Sequence, residues 1–149
     1  MRTKYAHVNI ISKDWKLLCE FYQEVFDCEP VSAERDHHGE PIDLLTGMSK
    51  VRIRGRHLRM PGFGENAPTI EIFSFNQDEK DYPKMLNRLG LSHLAFEVDD
   101  LDQRREKVKK FGGSDYGEKV TIDISGVGEL TLIYMTDPEG NIIELQRWH

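Results

Sequence analysis

The chain has 149 residues, a formal net charge of −6, and a composition that is 38% hydrophobic and 31% charged. That length suits one domain or two small modules sharing one, and the acidic balance excludes the broad basic field that nucleic acid needs. No apolar run approaches the ~18 residues of a membrane helix. The opening MRTKYAHVNI also runs into alternation with no signal-like apolar block, so a cytosolic protein without a membrane partner is expected.

Lys4 to Ile11 alternates, with Ala6, Val8 and Ile10 on one face and Tyr5, His7 and Asn9 on the other. This predicts a strand with an apolar back and a polar front. Ser12 or Asp14 is placed to cap a helix whose apolar residues are Trp15, Leu18, Cys19, Tyr22, Val25 and Phe26. Their steps of three and four make one stripe able to lie on the back of a sheet. Pro30 ends that helix, Val31 to Arg35 predicts a short second strand, and Asp36 to Lys50 reads as a long loop. Val51 to Met60 predicts a third strand whose register is ambiguous around Gly55. Beyond the turn at Pro61 to Pro68, Thr69 to Phe75 predicts a fourth strand. It carries Ile70 and Ile72 on one face and Thr69, Glu71, Phe73 and Phe75 on the other.

The polar stretch Asn76 to Asn87, interrupted by Pro83, reads as a linker. It divides the chain into a first module at 1–76, a linker at 77–88 and a second module at 89–149. The pattern then restarts. Leu91 to Val98 alternates, with His93, Ala95 and Glu97 in front, and Asp100 caps a second helix with Gln103 three residues on. That helix has the stripe Leu101, Arg105 (by its stem), Val108 and Phe111, and Gly112-Gly113 closes it. A weak strand near Tyr116 to Ile124 precedes a hairpin, Glu129 to Trp148, turning over Asp137-Pro138-Glu139-Gly140. Glu144 is a carboxylate set in mid-strand between apolar neighbours.

The chain is therefore a tandem repeat, and the fold class is α+β, with tandem βαβββ modules forming cupped mixed sheets that carry helices on the back face. HVNIISKDWKLLCEF aligns with HLAFEVDDLDQRREK, and ENAPTIEIF with PEGNIIELQ. The repeat pairs His7 with His93 and Glu71 with Glu144, all on polar front faces. Two neutral imidazoles and two carboxylates balance one divalent ion such as zinc, nickel, cobalt or manganese. Two coordination positions then remain for adjacent substrate oxygens. A chelated carbonyl is polarised, and a carboxylate that can leave the ion becomes a base for the neighbouring proton, a role open to Glu144 and Glu71.

Other residues are candidates for substrate contact. Asn9 and Gln146 lie two residues from ligands on the same faces, and Phe73, Phe75, Met135 and Trp148 supply an apolar lining. The alternating Arg52, Arg54 and Arg56 read either as a solvated strand edge or, through Arg54 and Arg56, as a clamp for an anionic tail. Glu97 is a candidate support for His93. His57 sits on an uncertain register and takes no role. Cys19 and Cys28 form no CxxC pair and are expected to be reduced and partly buried.

The repeat, with HVNIISKDWKLLCEFYQEVF at its start and MTDPEGNIIELQ at its end, resembles the vicinal oxygen chelate superfamily. That group includes glyoxalase I, methylmalonyl-CoA epimerase, extradiol dioxygenases, and fosfomycin and bleomycin resistance proteins. The resemblance implies that His7, Glu71, His93 and Glu144 are the metal ligands. A glutamate at the second position is most similar to glyoxalase I, which isomerises the hemithioacetal of methylglyoxal and glutathione through an enediolate. Glu144 would then be the principal base. Ile11 stands where bacterial glyoxalase I has a glutathione-holding arginine, and Phe75 where it has an asparagine, so the thiol is left open. The alternatives are an epimerase of a CoA thioester, an extradiol-type dioxygenase, and a protein that binds a small molecule without turnover. A homodimer is expected, because it covers open sheet edges.

Overall fold

The computed structural model describes residues 2–77, 79–80 and 82–149. The chain forms two compact units, Met1–Asp81 and Tyr82–His149. Their division falls inside the predicted linker, of which Asp78 and Asp81 lie outside the described residues.

The first unit opens with β1 (His7–Ile11), shorter than the alternation suggests, and passes into α1 (Trp15–Phe26). Asp14 rather than Ser12 caps α1, its Oδ1 accepting from the N–H groups of Lys16 at 3.1 Å and Leu17 at 3.2 Å. The helix ends at Asp27, whose φ of 57° is left-handed and whose N–H closes onto the carbonyls of Tyr22 and Gln23. It thus stops before Pro30, which belongs instead to β2 (Glu29–Pro30). The segment read as a loop holds β3 (Arg35–His38) and α2 (Glu40–Thr46). Glycine and proline at the head of α2 masked it, and seven residues are too few to show a helical period. Then come β4 (Arg52–Arg59) and β5 (Thr69–Phe75).

These strands lie in the order β1-β5-β4-β2, with β3 also paired to β4, and β1 runs parallel to β5. On the back, Leu18, Tyr22 and Val25 of α1 are fully buried, as are Leu58, Ile70 and Ile72 of the sheet. Each such side chain contributes about 1.5–3 kcal/mol by leaving water, which is why the apolar stripe governs how α1 docks. The front is not left bare. Val51, Ile53 and Phe73 form a small buried cluster, with Ile42, Met48 and Phe75 packed against it. Phe73 and Phe75, expected to line an open cup, belong to this cluster beside α2.

The second unit repeats the order. It contains β6 (His93–Glu97), α3 (Leu101–Lys110), β7 (Ser114–Asp115), β8 (Val120–Ile124), β9 (Gly128–Thr136) and β10 (Ile142–Trp148). Its strands lie in the order β6-β10-β9-β7, with β8 also on β9, and β6 runs parallel to β10. Asp100 caps α3, accepting from the N–H of Gln103 at 2.9 Å, so the two caps occupy matching places in the repeat. Leu101 and Val108 are the buried residues of α3, while Arg105 turns its guanidinium onto Asp115 at 2.8 and 2.6 Å. The hairpin turn is held by Asp137, almost wholly buried, which accepts from the backbone of Glu139 and Asn141 and from the Asn141 amide. Gly140 supplies the positive φ of 79° that the turn requires. The molecule is thus built on two mixed sheets of five strands with helices. No described helix is long and apolar enough to cross a membrane.

Candidate metal centre

Register brings a histidine and a glutamate together in each unit. In the parallel ladder of the first, His7 lies level with Thr69, two residues before Glu71. In the second, His93 lies level with Ile142, two residues before Glu144. Residues two apart on a strand share a face, so each imidazole reaches diagonally across one strand spacing to its carboxylate. His7 Nε2 lies 3.2 Å from Glu71 Oε2, and His93 Nε2 lies 3.2 Å from Glu144 Oε2. The same contact arises twice from two different sequences.

The surroundings of the two carboxylates differ. Asn9, level with Glu71 on β1, donates its Nδ2 to Oε2 at 3.1 Å. His57, level with Glu71 on β4, places Nε2 2.6 Å from Oε1. A carboxylate only accepts, so this nitrogen carries the proton, and Nδ1 faces the Thr69 hydroxyl at 3.3 Å. Burial is the main cause holding the His57 pKa below its ordinary value, opposed by the charge of Glu71 and assisted by Arg35, His7 and His37. Glu144 is buried, and Tyr134, level with it on β9, hydrogen-bonds its carboxylate. The Tyr134 pKa is raised, first by burial and then by that hydrogen bond and the charge. Its ring also meets His93 edge-on at 5.2 Å. Ala95 takes the place of Asn9 and offers no donor.

The donor set can be tested against a divalent ion. Two ligand atoms about 2.1 Å from one octahedral ion and at right angles lie about 3.0 Å apart. Each His–Glu pair, at 3.2 Å, matches that edge. Among the described residues, no group of three or more histidine, cysteine, aspartate or glutamate side chains is arranged to hold a metal by itself. His57 adds a third ionisable group beside His7 and Glu71, but its Nε2 is turned onto Oε1, away from the oxygen that His7 approaches. Each unit therefore presents one imidazole and one carboxylate at a spacing that fits two adjacent positions on a divalent ion.

The remaining predicted residues divide by face. Gln146 and Trp148 alternate with Leu145 and Arg147, and so share the Glu144 face of β10; both are partly exposed. Met135 does not. It alternates with Tyr134 on β9 and is fully buried on the opposite side, the side of Ile133, Ile143 and Leu145. Arg54 and Arg56 are also displaced from the expected clamp. They lie level with Ser74 and Ile72, on the face opposite Glu71. Arg56 Nη2 approaches Glu34 at 3.8 Å, and its buried Nε finds no hydrogen-bond acceptor. Glu97 is exposed two residues beyond Ala95, level with Gln146. His57 and Tyr134, which took no role in the sequence reading, are the residues that hold the two glutamates. No signal in the sequence singled them out, since each stands opposite its glutamate only through the register of the neighbouring antiparallel strand.

Two mixed sheets, each presenting a histidine and a glutamate on one face, define a protein of two repeated modules. The family model for the Glyoxalase/Bleomycin resistance protein/Dioxygenase superfamily matches residues 4–145, and the chain belongs to that superfamily. Among solved structures, a glyoxalase family protein from Bacillus cereus is 22% identical, with a TM-score of 0.78 over 99% of this chain and 94% of its own. A genomically encoded fosfomycin resistance protein from Listeria monocytogenes, complexed with Mn(II) and sulfate, is 17% identical. Its TM-score is 0.57 over 100% of this chain and 95% of its own. A glyoxylase/bleomycin resistance protein/dioxygenase domain from Frankia sp. EAN1pec is 18% identical, with a TM-score of 0.60 over 100% of this chain and 98% of its own. These likenesses concern the fold. No curated protein matches the chain.

Proposed function

We propose that the protein is a divalent-metal-dependent isomerase or lyase of the glyoxalase I type, acting on a small carbonyl compound. The observation that carries this reading is the twofold recurrence of an imidazole nitrogen 3.2 Å from a carboxylate oxygen, at matching places in the repeat. His7 and Glu71 provide one half of the ligand set and His93 and Glu144 the other, joined within one chain or between the chains of a homodimer. Such an ion, when bound, stabilises negative charge developing on a substrate oxygen. Glu144 takes the proton from the carbon beside the carbonyl onto its carboxylate and delivers it to the adjacent oxygen-bearing carbon. The C–H electron pair becomes a carbon–carbon π bond, and the carbonyl π pair moves onto oxygen. When the proton is returned to the former carbonyl carbon, that carbon–carbon π pair forms the new C–H bond. The hydroxyl of the first carbon becomes the carbonyl, and its proton passes to the former carbonyl oxygen. Tyr134, level with Glu144 on β9, is placed to steady that carboxylate for the exchange.

An arginine clamp would favour a CoA thioester, but Arg54 and Arg56 lie on the other face, which leaves the epimerase alternative only the Ile11 that stands in place of a glutathione-holding arginine. The fosfomycin resistance relative solved with Mn(II) supports a divalent ion in the superfamily. The decisive experiment begins with elemental analysis of chelator-free protein and titration with zinc, nickel, cobalt and manganese. The hemithioacetal of methylglyoxal is then assayed with several thiols in deuterated solvent, beside methylmalonyl-CoA. One ion per complete ligand set is expected, lost in both His7→Ala and His93→Ala. Glu144→Gln is expected to suppress solvent deuterium exchange by 10²-fold or more, since general-base groups contribute about 10²–10⁴. Undiminished exchange in that variant removes Glu144 as base, and protein that takes up none of the four ions overturns the reading.

A further inference from the structure

Glu71 is more tightly constrained than its counterpart. Its Oε2 faces His7 at 3.2 Å and Asn9 at 3.1 Å, while its Oε1 rests on His57 at 2.6 Å. His57 is itself fixed. Its ring meets Phe73 edge-on at 5.7 Å and His7 edge-on at 5.8 Å, its Nδ1 faces Thr69 Oγ1 at 3.3 Å, and its side chain is only 12% exposed. At the same place in the second unit stands Tyr134, not a histidine. The repeat therefore preserves the histidine and glutamate that face each other across the parallel ladder, and varies the residue across the antiparallel one.

We infer that His57 is a positioning residue that pins Glu71 Oε1 through its Nε2–H and so presents Oε2 in one fixed direction, toward the ion that His7 and Glu71 are proposed to share. The inference rests on the metal-binding reading above. A carboxylate with both oxygens free swings about its last torsion, and a hydrogen bond to the far oxygen removes that freedom in advance. His57 is not itself a ligand in this arrangement, because the nitrogen nearest the site carries a proton directed at Glu71. The thermodynamic consequence is that ion affinity depends on a residue that never touches the ion. Outer partners of ligating carboxylates contribute about 10–100-fold in affinity.

The test uses the full-length protein and Co(II) as the probe. Wild type, His57→Phe and His57→Gln are titrated against a competing chelator while the visible absorption of the bound cobalt is recorded. His57→Phe is expected to weaken Co(II) binding by about 10–100-fold and to alter the spectrum, because Glu71 is released. His57→Gln, which keeps an N–H donor, is expected to recover most of both. Unchanged affinity and spectrum in His57→Phe overturn the inference. Equal and complete loss of cobalt in both variants also overturns it, by making His57 a ligand. If the phenylalanine variant does not fold, His57→Asn, whose amide is too short to reach Oε1, replaces it in the same comparison. Wild type that binds no Co(II) sinks the metal reading instead. In that event the metal-free protein decides the contact: a protected His57 Nε2–H proton resonance is expected, lost in Glu71→Ala. Its absence, or its persistence in that variant, overturns the inference.

Discussion

Gly55→Ala is predicted to be the most damaging single-methyl change in the first unit. Gly55 lies level with Phe73 in the β4–β5 ladder, and a Cβ built on it would stand 2.0 Å from the Ile72 carbonyl oxygen and 2.1 Å from Phe73 Cδ1. A third contact, 2.8 Å to Phe73 Cα, is again with backbone. Rotating the phenyl ring relieves one contact of the three, so the strands themselves must part by roughly an ångström. Strands hydrogen-bonded at about 4.8 Å do not absorb this without losing ladder bonds, each contributing about 0.5–1.5 kcal/mol. Phe73, buried in the cluster with Val51 and Ile53, is pushed out as well. Complete loss of a buried phenylalanine costs about 3–5 kcal/mol, and partial expulsion less. The sum is a destabilisation of about 3–5 kcal/mol, or roughly 10 °C in melting temperature. Urea unfolding followed by circular dichroism measures it. Gly117→Ala serves as the control, because nothing lies within 4 Å of its Cβ. A Gly55→Ala protein within 1 kcal/mol of wild type, on the order of an ordinary substitution, would refute the reasoning.

Arg56→Met tests the face assignment: stability is expected to hold or rise by about 1 kcal/mol, because a buried Nε without an acceptor is removed. Turnover should be unchanged, and a loss of substrate affinity would restore the arginine clamp. Burial raises the Cys19 and Cys28 pKa values to about 12, so both thiols should resist Ellman's reagent at pH 8 in the folded protein and react on unfolding. The sign of the linkage follows. The unfolded chain releases these protons near pH 9 and the folded chain near pH 12, so their contribution is complete below pH 9 and is lost as pH rises from there toward 12. The slope is about 1.4 kcal/mol per pH unit per thiol, measurable by urea unfolding between pH 8 and 10.5. A flat stability profile over that range would contradict the burial of both groups.

Much of the architecture was legible along the chain because a strand's faces follow from local alternation. His7 and Asn9, Glu71 and Phe73, and Glu144 and Gln146 fall on their faces by period two alone. The duplicated order then paired His7 with His93 and Glu71 with Glu144 without reference to coordinates. Asp100 was equally readable, since a cap acts on amides two or three residues away, whereas the choice of Asp14 over Ser12 was made by the fold. Met135 lies on the back rather than in the apolar lining, because its alternation with Tyr134, and not its residue type, decides its face.

What the sequence could not reveal is whatever depends on how one strand is aligned against the next. Gly55 has no side chain to vote for a face, so the register of β4 was open, and a slip of one residue would exchange His57 for Arg56 opposite Glu71. Only the folded ladder assigns His57 to the carboxylate and sends Arg54 and Arg56 to the other side. The small cluster beside α2 is of the same kind: Ile42 and Met48 meet Phe73 only after the chain has turned back through β4. Local alternation is written in covalent geometry, one residue at a time. Register is chosen by the total burial and hydrogen bonding of two distant segments, and that sum exists only once they are packed.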